Sequence, residues 1–355
     1  MLTIDYSLQQ SWQHFLSKNR LSVLEKDAQL NSQAVCGRIP NIKKPSDESE
    51  RSITVSTDGK SACFSGLYEC QNSWSCPVCS ALKANQAAQA LTAVIEKMSA
   101  IGIQACMVTM TVPHCRKDGA KVALDRLEHN WRRFMHSHWW TRQANHAGIL
   151  GYVRATECTY GHNGYHFHYH VCFFAADVQV FDELEAPAHD FWSRSFDVLY
   201  RRRYGRRMYR ETAGWHVSRN KRGAIRNITN GNYVAKFARE IAKQRSPVLK
   251  HSESRNIFEL LKTGDFDDYR RYYDYAIATR RKHRLLISKS IRPLWNAAVN
   301  SVHEERVGQV KKKFTPVAQF SLFDWSKLCE AEWFDNRPHR SEILQAAVRG
   351  GLVAI

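Results

Sequence analysis

Positions 166, 168 and 170 in the segment Gly164-Tyr165-His166-Phe167-His168-Tyr169-His170-Val171-Cys172-Phe173-Phe174 are histidines. Side chains on a β-strand alternate between faces, so these imidazoles share one face while Phe167, Tyr169, Val171 and Phe173 point the other way, toward a core. A row of imidazoles on one face of an otherwise apolar strand is costly unless something binds it, and a divalent metal is the usual occupant. The segment 151–159 reads as the partner strand and Gly161-His162-Asn163-Gly164 as the turn. With His162 and Asn163 as a two-residue loop, opposed positions sum to 325, so Glu157 faces His168, Thr159 faces His166 and Ala155 faces His170. Directly opposed Cβ atoms lie ~4.5–5.5 Å apart, so two imidazoles and a carboxylate converge on one ion. A slip of one residue would turn Glu157 to the opposite face. The plainer alternative is a set of surface or core-satisfied histidines.

A second group of ligand-type residues lies upstream. Cys70-x5-Cys76-Pro77-Val78-Cys79 contains a CxxC knuckle, with Cys36 and Cys63 before it. Four thiolates in a tetrahedron suit a structural Zn²⁺, and a set of reduced structural cysteines is the alternative. Downstream, Asn230-Gly231-Asn232 reads as a cap and Tyr233-Val234-Ala235-Lys236-Phe237-Ala238-Arg239-Glu240 as the helix that follows. Tyr233, Lys236, Phe237 and Glu240 share one face of it. An ammonium close to a phenol lowers its pKa, one way to make a weak hydroxyl nucleophile useful. Taken alone, such a Tyr–Lys pair is more often structural.

The charge balance suits a nucleic-acid partner. Against 34 Asp+Glu stand 52 Lys+Arg, a formal net charge of +18. Such an excess supplies salt-dependent attraction to a phosphate backbone, though basic proteins also bind anionic membranes. Fourteen Tyr and ten Trp offer surfaces on which unpaired bases can stack. Arg201, Arg202, Arg203, Arg206 and Arg207 form a basic run, and Lys221 and Arg222 a basic turn; both are candidate phosphate contacts, a solvated helix end being the bland reading of the first. No apolar run is long enough to span a bilayer, and the first thirty residues lack the apolar stretch of a signal peptide. Ten cysteines without an export signal read as thiols and metal ligands rather than disulfides, in a cytoplasmic protein.

The elements that must position these groups follow from periodicity. Helical patterns occur near Leu8–Phe15 and Leu21–Leu30, and a β-hairpin around Asp58-Gly59. A long Ala-rich helix covers about 82–100, and a strand 107–112. Further helices lie at about 122–136 and 183–202, and two short strands flank residues 220–223. This order predicts an α+β fold, a central antiparallel sheet with helices packed on one face.

The ordered combination resembles a family. A His-Phe-His strand followed by a Tyr-x-x-Lys helix is similar to the HUH single-strand endonucleases, and more narrowly to the plasmid rolling-circle replication initiators (Rep proteins). Val108-Thr109-Met110-Thr111-Val112-Pro113-His114 resembles their first motif, Glu157 through His170 the second, and Tyr233-Val234-Ala235-Lys236 the third. Trp74-Ser75-Cys76-Pro77-Val78-Cys79 and Cys36-Gly37-Arg38 resemble their cysteine segments, which selects Cys36, Cys70, Cys76 and Cys79 as the zinc ligands with Cys63 as the substitute for Cys36. The resemblance covers roughly residues 36–295, including a later region from Ile257 to Arg292.

It implies an HUH-type nuclease core at 102–246, a DNA-binding zinc module with N-terminal helices at 1–101, an accessory region at 247–300 and a C-terminal extension at 301–355. Tyr233 would attack origin DNA, leaving a 5′-phosphotyrosine and a 3′-OH that primes a host polymerase. Lys236 would stabilise charge, and His168, His170 and Glu157 would hold Mn²⁺ or Mg²⁺, with His166 as a third imidazole ligand, a phosphate contact or a bystander. Implied partners are single- and double-stranded origin DNA and a host helicase, with homodimerisation open and no membrane. Two features depart from relatives: Phe237 stands where phage initiators have a second tyrosine, and Thr229 where other plasmid initiators have a glutamate. Glu240 is the candidate to assist the terminating cut. The alternatives are a rolling-circle transposase or mobilisation relaxase with the same chemistry, and a non-catalytic zinc-containing repressor.

Overall fold

A computed structural model describes residues 6–18, 28–41, 52–204, 214–223, 225–228, 254–335 and 337–350. The chain divides into two compact units, one of Met1–Lys83, Phe258–Tyr272 and His303–Ile355, the other of Ala84–Ile257 and Tyr273–Val302.

In the first unit, strands β1 (Ile53–Thr57) and β2 (Ala62–Ser65) form the hairpin that Asp58-Gly59 predicts. Asp58 Oδ1 accepts the Lys60 and Ser61 backbone N–H groups at 3.0 and 2.7 Å, which closes the turn. The free edge of β1 pairs with β9 (Thr315–Phe320), Val55 opposite Ala318, giving the order β2-β1-β9. Helices α1 (Ser7–Lys18) and α2 (Ala28–Val35) and the C-terminal helices over Leu322–Asp335 and His339–Val348 complete this unit. It contains a buried ion pair: Arg340 Nε donates to Glu332 Oε2 at 2.8 Å, both side chains fully buried. Three further guanidinium donors reach Gly37 O at 3.0 Å and the Gln9 and Gln13 side-chain oxygens at 3.2 Å. A buried charge is tolerated when it is paired and hydrogen-bonded in this way.

The second unit is built on a six-stranded sheet. Its strands are β3 (Gln104–Thr111), β4 (Ile149–Gly161), β5 (Gly164–Ala175), β6 (Gly214–Val217), β7 (Arg255–Asn256) and β8 (Leu285–Ile287). The order is β6-β3-β5-β4-β7, with β8 also on β4, and every pairing is antiparallel. On the face of Tyr169 and Phe173 lie helices at Ala120–Met135, His138–His146 and Val180–Tyr204. Trp131 meets Tyr169 edge-on at 5.3 Å, Trp140 lies 5.6 Å from Phe173, and Phe181 also lies 5.6 Å from Phe173.

The first of these helices forms because Ala120, Ala123, Leu124, Leu127, Trp131 and Phe134 recur at helical spacing and are all buried. Asp274 Oδ2 accepts the Ala120 N–H at 2.8 Å, satisfying a donor its first turn leaves open.

The expectation of helices on one face is corrected. Cys172 and Phe174, alternating with Phe173, are buried with Met107, Val153 and Ala155 under Leu91, Val94 and Ile95 and under Trp295 and Ala298, from helices on the opposite face. Strands fully buried at one end read as continuous apolar runs, and Val171-Cys172-Phe173-Phe174-Ala175 is such a run. No described helix is long and apolar enough to cross a membrane.

Candidate metal centres

The histidine hairpin closes as the spacing predicts. Gly161 pairs with Gly164, Glu157 with His168, Thr159 with His166 and Ala155 with His170. Gly164 holds φ +83°, and a Cβ there would lie 3.1 Å from Arg116 Cα, so this corner needs glycine twice over. Past the turn, β4 and β5 stay in register for more than ten residues, and the pleat carries Glu157, His168 and His170 to the same face.

Their polar atoms meet. Glu157 Oε2 lies 3.1 Å from His170 Nε2 and 3.3 Å from His168 Nε2. Each of the three residues offers a ligand atom, all within 4.8 Å of one another. Glu157 is only 4% exposed and His168 8%. Burial alone would push the Glu157 carboxyl up, but hydrogen bonds from His168 and His170 outweigh it and hold the group well below the usual carboxylate range.

Thr109 on β3 stands opposite His170 and its Oγ1 lies 3.1 Å from His170 Nδ1. When Nδ1–H donates to that hydroxyl, the lone pair is left on Nε2, the nitrogen facing Glu157. Thr109 belongs to the segment that resembles the first family motif, and no local pattern reveals a bond to a residue sixty-one positions away. His166 takes another arrangement. Its ring stacks on His114 at 4.6 Å and lies 4.9 Å from His168, outside the converging group. Burial, with the neighbouring His168 and His114, pulls its pKa down to about 3. Burial lowers that of His114 as well.

Two imidazoles and one carboxylate suit a divalent ion of intermediate hardness, and three protein donors leave coordination positions open. The donor set therefore fits a metal that must also accept a ligand.

Four cysteines of the first unit form a closed site. Cys36, Cys70, Cys76 and Cys79 bring their sulfurs together, with Sγ–Sγ separations of 3.5 Å for Cys36–Cys79, 3.7 Å for Cys70–Cys79 and 3.7 Å for Cys36–Cys76. Tetrahedral Zn–S bonds of about 2.3 Å require sulfurs about 3.8 Å apart, whereas a disulfide needs about 2.05 Å. The Cys70 backbone N–H donates to Cys36 Sγ at 3.3 Å, and Gln9 Nε2 to Cys76 Sγ at 3.6 Å. Hydrogen bonds from the other three thiols hold Cys36 far below the ordinary thiol range.

Asn72 Oδ1 accepts the Trp74 and Ser75 N–H groups at 2.9 and 2.8 Å and sets the turn before Cys76. Cys79 lies in the first turn of the helix Pro77–Ala100, where Pro is tolerated at the opening position. Cys63 sits on β2, outside this set. Leu344 and Ala347 of the C-terminal helix are buried against Cys36, Cys76 and Cys79, so the chain's last helix walls the cluster.

Of the remaining expected site residues, Arg201, Arg202 and Arg203 end the helix Val180–Tyr204. Lys221 and Arg222 are exposed in a turn where Asn220 Oδ1 accepts the Arg222 N–H at 2.8 Å. Arg206, Arg207, Tyr233, Lys236 and Glu240 lie outside the described residues.

Residues 65–210 match the model of a family described as "Replication protein". The segment contains three of the four clustered cysteines and the whole histidine hairpin. The chain is also similar to "Protein rep" of Streptomyces lividans, at 28% identity over 33% of this chain and 32% of that protein. The match thus spans about a third of the relative's length. No solved structure matches significantly. The segment that carries the whole histidine hairpin and three of the four clustered cysteines is thus similar to the replication protein (Rep) family.

Proposed function

We propose that this protein initiates rolling-circle replication of a plasmid or phage-like element by nicking and rejoining single-stranded origin DNA, as an HUH-type tyrosine endonuclease. The observation that carries this reading is the convergence of Glu157, His168 and His170 on one strand pair within the replication-protein segment. Chain length supports bringing Tyr233 to the same site. The Ile228 N–H donates to Ala105 O at 2.8 Å on β3, the strand that carries Thr109. Tyr233 is five residues beyond Ile228, and a chain reaches at most ~3.6 Å per residue, ~18 Å here. From Ala105 to Thr109 is four residues of strand, ~13 Å.

In this reading Glu157, His168 and His170 hold a divalent ion, Mn²⁺ or Mg²⁺, which when bound polarises the scissile phosphate. The Tyr233 phenolate attacks phosphorus, the bond to the 3′-oxygen breaks, and the products are a 5′-phosphotyrosine and a 3′-OH that primes a host polymerase. Lys236 stabilises the phenolate, and attack by a 3′-OH on the phosphotyrosine rejoins the strand. With Phe237 in place of a second tyrosine the enzyme uses one tyrosine, and Glu240 assists the terminating cut. The nuclease chemistry belongs to residues 102–246. Residues 1–101, with Zn²⁺ at the four cysteines, hold duplex origin DNA, aided by the basic residues around 201–207 and 221–222. A host helicase unwinds ahead of the primer.

The test is incubation of the protein with Mn²⁺ and labelled single-stranded oligonucleotides tiling the origin of its replicon. The expected result is a covalent adduct from wild type and none from Tyr233→Phe or His168→Ala. Cleavage that survives Tyr233→Phe would replace the nucleophile. Absence of cleavage on every tile would leave a non-catalytic zinc-containing DNA-binding protein. Glu240→Gln is expected to nick but not terminate.

A further inference from the structure

His216 lies on the same sheet face as the Glu157–His168–His170 group. It is directly opposite Thr109 on β3, and Thr109 is directly opposite His170 on β5. Cross-strand partners share a face, so His170, Thr109 and His216 form one row over three neighbouring strands. The next row is Glu157, His168, Thr111 and Gly214, over four.

The His216 ring bends toward this second row. A Cβ at Gly214 would lie 2.2 Å from His216 Nε2 and 3.0 Å from Thr111 Oγ1, so the imidazole occupies the space that glycine leaves empty. His216 is exposed, and its ring nitrogens have no hydrogen-bond partner among the described residues. His189, on the helix Val180–Tyr204, brings a second imidazole to 5.6 Å. The carboxylates beside them are already committed: Asp182 and Glu185 both pair with Arg219. These seven-residue surroundings, with Ala186 and Trp215, line a cleft of about 330 Å³ at the β6 edge.

Two strand spacings of ~4.8 Å separate His216 from His170. That is too far to share one ion, and close enough to touch the same strand of DNA a nucleotide or so away. We propose that His216 is a substrate-binding residue that donates an imidazole N–H to a backbone phosphate adjoining the scissile one, so that the single strand crosses the sheet from the Glu157–His168 row over Thr111 to β6. This deepens, and rests on, the nuclease reading. It adds the direction of the strand and a contact outside the metal group.

The experiment separates the two. Affinity of wild type and His216→Ala for the tightest-binding origin tile is measured by fluorescence anisotropy without divalent metal, so that no chemistry is needed. A series of tiles each carries one neutral methylphosphonate. His216→Ala is expected to bind the unmodified tile about tenfold more weakly, the scale of one hydrogen bond to a charged group. At one phosphate, neutralisation is expected to cost wild type affinity and His216→Ala nothing further. His216→Gln, which keeps an N–H donor, is expected to recover most of the loss. Gly214→Ala, which displaces the ring, is expected to behave like His216→Ala. Additive losses at every phosphate, or unchanged affinity in His216→Ala, would overturn the contact. Adduct formation by wild type with Mn²⁺ is scored separately: its absence would overturn the nuclease reading and leave the binding result standing.

Discussion

The Oε2 atom of Glu157 lies 3.1 Å from Nε2 of His170, although the two residues are diagonal neighbours and the residue directly opposite Glu157 is His168. The carboxylate therefore addresses the His168 and His170 imidazoles at once, and Thr109 fixes the second of them from behind. Glu157→Gln removes the charge while keeping the volume. It is expected to weaken Mn²⁺ binding at this site at least roughly tenfold by titration calorimetry. Thr109→Val, which leaves every donor in place, is expected to cost roughly 10–100-fold in the same measurement, with Thr109→Ser close to wild type. Unchanged affinity in Thr109→Val would mean that the hydroxyl does not orient the ring.

The cysteine cluster makes a prediction that discriminates between two residues. Cys36→Ser is expected to release zinc and lower the melting temperature of the protein, whereas Cys63→Ser keeps both, because the Cys36 sulfur lies 3.5 Å from Cys79 while Cys63 lies outside the converging set. Metal content by atomic emission and thermal unfolding report the two outcomes. Zinc retained in Cys36→Ser and lost in Cys63→Ser would reverse the assignment.

The Arg340–Glu332 pair is buried within the first unit, with no exposure on either side chain. Removing one partner leaves the other charged and buried. Arg340→Ala is thus expected to destabilise this unit by about 3–5 kcal/mol in urea titrations. The double variant Arg340→Leu/Glu332→Leu, which removes both charges, is expected to be less damaged than Arg340→Ala alone. A double variant worse than the single would show that the apolar pair cannot fit the space.

His166 gives the pH dependence a sign. Its folded pKa, pulled down to about 3 by burial and by its imidazole neighbours, lies below the ordinary value near 6.5. The unfolded chain therefore takes up a proton that the folded chain refuses. The associated stability is present above pH ~6.5 and is lost as the pH falls toward 3, with a slope of at most about 1.4 kcal/mol per pH unit. In metal-free protein, His166→Asn is expected to flatten that slope in chemical denaturation between pH 6.5 and 4. A slope identical to wild type would mean that His166 titrates normally.

The sequence by itself determined what is local. A two-residue turn between two long strands leaves only one register that puts His162 and Asn163 at the tip, and the period of two then carries Glu157 to the face of His168 and His170. The Cys76–Cys79 knuckle was legible for the same reason, as ligand spacing inside one turn of chain. Tertiary structure decided what depends on partners far apart in sequence. Thr109 and His216 meet the histidine face only through the order β6-β3-β5. The wall of the cysteine cluster comes from residues 344 and 347, and β9 finds β1 across more than 250 residues, Val55 against Ala318. No periodicity announces such pairings, because strand edges and apolar faces are generic until a particular chain path brings two of them together. Helices on the second sheet face escaped the reading similarly: Cys172 and Phe174 look the same in sequence whether they face solvent, a ligand or another helix, and only the packing of Leu91, Val94 and Trp295 against them decides it.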